Sequence, residues 1–112
     1  MIKGLNHITI SVNDLSRSFQ FYSQILGFKP LLLHPKGAYL LAGELWFCLD
    51  LDPKTTTKSL PGYTHFAFSV EQKDFEQVKT KIKESGVQIW RDNKSEGDSV
   101  YFLDPDGHKL EI

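Results

Sequence analysis

The chain has 112 residues, 40% of them hydrophobic and 24% charged, enough for one compact domain or two half-domains sharing a core. A formal net charge of −1 gives no global pull toward nucleic acid or an anionic membrane, and no apolar run approaches the length of a membrane span. The single cysteine, Cys48, excludes an intrachain disulfide and fits a reducing compartment; the stretch after Met1 lacks a signal-like apolar segment, so the expected location is the cytoplasm.

In chain order, residues 5–12 come first, with His7, Thr9 and Ser11 alternating with Ile8, Ile10 and Val12. That is the period-two pattern of a strand with one polar and one apolar face. Leu15, Phe19, Tyr22 and Leu26 then form a helical stripe, with Asp14 as N-cap and Gly27 as C-terminal stop. Residues 28–33, 37–42 and 45–51 read as strands, with a tight turn at Gly43-Glu44. Residues 53–62 are a linker by composition. The pattern then returns. Residues 63–70 predict a strand with His65, Ala67 and Ser69 on its polar face and Phe66, Phe68 and Val70 on its apolar face. Phe75, Val78 and Ile82 predict a helix ending at Gly86, and residues 87–91, 99–103 and 109–112 supply three more strands.

The result is an α+β domain over residues 1–112, a tandem of βαβββ modules at 1–52 and 63–112. His7 and His65 hold matching places, as do Gly27 and Gly86, and Gly43 and Gly107. Repeats that share a core usually build their site where the copies meet. A single strand histidine is usually a hydrogen-bonded structural residue, but two at matched places with matched flanks point to metal binding. Glu111 lies on the last strand, four residues after Gly107, where an apolar residue is the default; the matching place after Gly43 is Phe47. Imidazole and carboxylate suit borderline divalent metals, and three protein ligands leave positions open for a substrate. His7, His65 and Glu111 are therefore the candidate ligands. His34 and His108, in a loop and after a turn, read as solvated.

The stretch between Arg91 and Tyr101 carries Asn93, Ser95, Glu96, Gly97, Asp98 and Ser99. So oxygen-rich a loop can wrap a hard cation or present hydroxyls to an anion; composition alone favours a solvated connection. Arg91, Lys94 and Tyr101 are donors suited to a phosphate or phosphonate, and Thr9 adds a hydroxyl beside His7. Tyr39 and Trp46 can line a pocket, although strand aromatics are more often core. Cys48 reads as a small buried hydrophobe, since no base is evident beside it.

The segments GLNHITISVNDL, GAYLLAGELWFCL, YTHFAFSV and SEGDSVYFLDPDGHKLE resemble the vicinal oxygen chelate superfamily over nearly the whole chain. Within it they are similar to the fosfomycin resistance thiol transferases, in the manganese-dependent branch that uses glutathione. The resemblance implies Mn(II) on His7, His65 and Glu111, and fosfomycin on the open positions with glutathione as co-substrate. It implies Thr9 and Tyr101 as catalytic side chains, with Tyr39, Trp46, Arg91 and Ser95 also binding substrate. It further implies a K+ loop of Asn93, Ser95, Glu96, Gly97 and Ser99, and a domain-swapped homodimer in which His7 comes from one subunit and His65 and Glu111 from the other. Three departures stand out: Arg91 replaces the usual lysine, His34 the usual tryptophan, and the family's residues beyond the metal glutamate, which include an arginine for the phosphonate, have no counterpart here. Two further readings stay open: another enzyme of the superfamily (epoxide hydrolase, isomerase or dioxygenase), and a non-catalytic dimer that sequesters a small molecule.

Overall fold

In the computed structural model, which describes residues 1–93 and 98–112, the chain divides into two compact units, Met1–Thr55 and Thr56–Ile112. In the first, strand β1 (His7–Val12) leads into helix α1 (Leu15–Gln20), followed by β2 (Lys29–His34), β3 (Gly37–Ala42) and β4 (Leu45–Leu51). The sheet order is β1-β4-β3-β2, with β1 parallel to β4 and the other pairs antiparallel. In the second, β5 (Phe66–Ala67) precedes α2 (Phe75–Glu84), β6 (Ile89–Arg91), β7 (Tyr101–Leu103) and β8 (Lys109–Glu111). Its sheet order, β5-β8-β7-β6, repeats the first, and β5 again runs parallel to β8. The fold is α+β, built from paired βαβββ modules.

Each element follows its local chemistry. Along β1, Ile10 and Val12 are buried while His7, Thr9 and Ser11 face out, because successive side chains of a strand leave opposite faces. The Asp14 carboxylate accepts the Arg17 N–H at 3.0 Å, satisfying one of the donors a helix start leaves orphaned. Tyr22, Phe28 and Phe47 meet with ring centroids 4.8–5.4 Å apart, in the offset geometries that aromatic quadrupoles favour. In the second unit Phe102, Ile82 and Leu110 are fully buried.

Three expectations need correction. The first helix is not α-helical throughout. It passes at Phe21 into a π turn, Phe21–Ile25, and the Ser23 hydroxyl donates to the Phe19 carbonyl at 2.6 Å. The wider turn shifts the buried line to Ser18, Phe21 and Tyr22, leaving Leu15, Phe19 and Leu26 half-buried. The strand expected over 63–70 shrinks to Phe66–Ala67, because its parallel partner β8 has only three residues to offer. His65 thus stands just before the strand.

The third correction concerns how the modules match. Thr9 pairs with Cys48, which pairs with Tyr39; Ala67 pairs with Glu111, which pairs with Tyr101. Glu111 therefore corresponds to Cys48, not to Phe47. Phe47 corresponds to Leu110, and both are fully buried. Counting from the glycines slips because the second turn is one residue longer: residues 42–45 link the pair Leu41–Trp46, whereas residues 104–108 link Leu103–Lys109.

The burial pattern predicts contrasting mutant stabilities. Phe47→Ala should lower unfolding free energy by about 3–5 kcal/mol, while Leu32→Ala, at a side chain 53% exposed, should change it by less than about 0.5 kcal/mol. Urea denaturation followed by tryptophan fluorescence checks both.

Candidate metal and anion site

In the second unit, β5 and β8 bring His65 and Glu111 together. The His65 Nδ1–H donates to the Tyr63 carbonyl at 2.7 Å, which turns Nε2 toward Glu111 Oε1 at 3.0 Å. Both side chains are less than one-fifth exposed. The other carboxylate oxygen, Oε2, accepts the Ser99 hydroxyl at 3.0 Å. With Nδ1 already a donor, a hydrogen bond from Nε2 to Glu111 needs a second proton on the ring, and a bound cation would take that proton's place.

Aromatic rings wall this pair. Tyr63, Trp90 and Tyr101 stand 4.7, 5.5 and 6.2 Å from the His65 ring, centroid to centroid. The Arg91 guanidinium lies 4.7 Å from the Tyr63 ring and 5.7 Å from that of Tyr101. At these distances the guanidinium gains cation–π attraction, and its planar fork of N–H donors suits an oxyanion.

In the first unit, His7 points outward from β1, and its Nδ1–H donates to Asn6 Oδ1 at 2.8 Å. Both histidines are thus held by Nδ1, which leaves Nε2 as the ligating atom in each. His7 and Thr9 line a pocket of about 700 Å³ with Tyr39, Trp46, Cys48 and His34. Tyr39 and Trp46 are pocket wall and not core, 37% and 47% exposed, with rings 6.0 Å apart. Cys48 is 8% exposed, in keeping with its expected burial, yet it borders the same pocket.

His34 and His108 depart from expectation, since both are half-buried. The His34 ring lies against Gly37, where an added Cβ would come within 3.1 Å of Nε2. His108 sits in the turn after β7, where Asp104 Oδ1 accepts the N–H groups of Asp106 and His108, each at 2.9 Å. The ligand atoms of Asp104, Asp106 and His108 lie within 4.8 Å of one another. The sequence signal was the D-P-D-G turn; the buried Asp104 carboxylate locks backbone N–H groups, as an Asx-type turn does. Of the oxygen-rich loop, Ser95, Glu96 and Gly97, with Lys94, lie outside the described residues. Asn93 and Ser99 flank it, and both line a smaller pocket with Arg91 and Tyr101.

Comparison with known proteins places this geometry. Residues 4–112 match the Glyoxalase/Bleomycin resistance protein/Dioxygenase superfamily. The chain belongs to this superfamily. It is 47% identical to glutathione transferase FosA of Serratia marcescens, covering all of this chain and 81% of that protein. It is 38% identical to metallothiol transferase FosB of Shouchella clausii, over all of this chain and 80% of that one. Among solved structures, the fosfomycin resistance protein FosX of Listeria monocytogenes, complexed with Mn(II) and 1S,2S-dihydroxypropylphosphonic acid, superposes with a TM-score of 0.84 at 27% identity, covering 99% of this chain and 91% of that one. No helix among the described residues is long and apolar enough to cross a membrane.

The donor chemistry of this superfamily member fits a divalent cation. Imidazole nitrogen and carboxylate oxygen suit Mn(II), Fe(II) or Zn(II). Donor atoms 3.0 Å apart have the separation of adjacent ligands at right angles on an ion with bonds of about 2.1 Å. Ser99 donates to the second carboxylate oxygen, so Ser99→Ala should weaken any Mn(II) binding by the pair about tenfold, read from the free-ion signal in electron paramagnetic resonance titrations.

Proposed function

We propose that the protein is a metal-dependent thiol transferase that opens the epoxide of fosfomycin with glutathione. The observation that carries this reading is the His65–Glu111 pair, with His65 oriented by Tyr63 and Glu111 by Ser99, in a chain 47% identical to a glutathione transferase along its whole length. His65 and Glu111, with His7, would hold Mn(II), which when bound supplies Lewis acidity toward the epoxide oxygen. In this reading the functional protein is a homodimer, and His7 of one copy completes the pair of the other. The working location is the cytoplasm.

The remaining roles are assigned to side chains of both units. Arg91, held between tyrosine rings, offers two N–H donors to a phosphonate. Thr9 and Tyr101 offer hydroxyls to the phosphonate or the epoxide oxygen. Asn93 and Ser99, with Ser95, Glu96 and Gly97, would bind K+ beside the anion. Tyr39 and Trp46 shape the pocket that admits the substrate. The glutathione sulfur attacks an epoxide carbon: the C–S bond forms as the C–O bond breaks, and the oxygen leaves as an alkoxide that takes up a proton. The second reading is hydrolysis, favoured by the structural match to FosX bound to a dihydroxypropylphosphonic acid.

Phosphorus NMR of fosfomycin incubated with the protein, Mn(II) and K+, with and without glutathione, separates these readings. The expected result is one thiol-dependent adduct. A diol formed without thiol would transfer the assignment to hydrolysis, and no consumption in either mixture would refute both. Glu111→Ala should reduce turnover by about 100-fold or more, since even residues that merely orient metal ligands are worth 10–100-fold.

A further inference from the structure

We propose that Lys109 is the positioning residue that holds His65 in its metal-facing orientation. The inference rests on the reading of His65 and Glu111 as metal ligands and adds the tether that fixes one of them. His65 is aimed by a backbone acceptor, the Tyr63 carbonyl. Tyr63 lies within a run, residues 52–65, in which no helix or strand forms, so the sheet ladder does not hold that carbonyl in place. Lys109 does so from β8.

Its ammonium donates to the Leu60 carbonyl at 2.7 Å and to the Gly62 carbonyl. The Gly62 carbonyl belongs to the peptide unit that leads directly into Tyr63. The same ammonium stands 5.4 Å from the Trp90 ring centroid. That ring in turn packs 5.5 Å from His65, and its Nε1–H donates to the Leu110 carbonyl at 3.1 Å. Lys109 therefore engages both supports of the imidazole, the backbone on one side and the indole on the other. A lysine has three donors and no acceptor, which suits two carbonyls and a ring face.

Gly107 supplies a second anchor for the segment. Its φ is +85°, and an added Cβ would fall 2.7 Å from the Ser59 nitrogen and 2.9 Å from the Lys58 carbonyl carbon. The backbone at 58–59 thus lies directly on the turn that precedes β8. Lys109 and Glu111 are two residues apart on one strand and so share a face. One short strand carries a ligand and also the tether that aims its partner.

The test uses the whole chain, first without metal and then titrated with Mn(II). Imidazole proton–nitrogen NMR should show a slowly exchanging Nδ1–H for His65, assigned by its loss in His65→Asn. In Lys109→Met that proton should exchange at least about tenfold faster and Mn(II) affinity should fall about tenfold, the scale of orienting residues. The ring signals of His7, His34 and His108 should stay in place, and Lys109→Arg should restore both readouts. Wild-type exchange and Mn(II) affinity in Lys109→Met would overturn the proposal. So would a shift of all four histidine signals in both Lys109→Met and Lys109→Gln, which would assign Lys109 to general stability. A wild-type protein that binds no Mn(II) would refute the metal reading instead, and the metal-free exchange rates would still decide the role of Lys109.

Discussion

The register of strand β8 governs the site, and one apolar side chain holds that register. Leu110 is fully buried, facing Phe66 and Phe102 across the sheet. Its neighbours Lys109 and Glu111 must then emerge on the opposite face, where Glu111 meets His65. Side chains alternate with a period of two, so a one-residue slip would drive Glu111 into the core and push Leu110 out. Burying an unpaired carboxylate costs several kcal/mol, and exposing a leucine forfeits about 2 kcal/mol more. Hydrophobic burial thereby fixes the position of the Glu111 carboxylate on the opposite face.

The same frame explains how two similar modules carry different chemistry. Both use the strand order in which the first strand runs parallel to the fourth, and both bury an apolar residue at equivalent points, Phe47 and Leu110. On the opposite face the modules diverge, with Cys48 in one and Glu111 in the other, each paired to a tyrosine, Tyr39 or Tyr101. One module therefore offers histidine beside a thiol in an open pocket. The other offers histidine beside a carboxylate in an aromatic enclosure. His65 and Glu111 are less than one-fifth exposed there, and such burial strengthens charge–dipole interactions with a cation or oxyanion.

Arg91 shows how a cation can use the rings around His65. A guanidinium between Tyr63 and Tyr101 gains cation–π contact that a compact ammonium would use differently. Those two tyrosines also flank His65, so the Arg91 guanidinium and the His65 ring share one aromatic support.

By itself the sequence determined the class and the order of elements. The alternation of residues 7–12, the stripe Phe75–Val78–Ile82 and the glycine stops are local signals, and local periodicity expresses which face must leave water. It also singled out His7, His65 and Glu111, the histidines because they recur at matched places with matched flanks, and the glutamate because it stands between Leu110 and Ile112. Tertiary structure decided the rest. The π turn after Gln20 depends on how Phe21 and Tyr22 pack. The match of Glu111 to Cys48 depends on a hairpin one residue longer, invisible to counting from glycines. The burial of Asp104 depends on the backbone N–H groups of Asp106 and His108, which only a closed turn presents. Lys109 looked like any surface lysine, since its partners are backbone carbonyls 47 and 49 residues away, and backbone carbonyls carry no residue identity for a sequence to display.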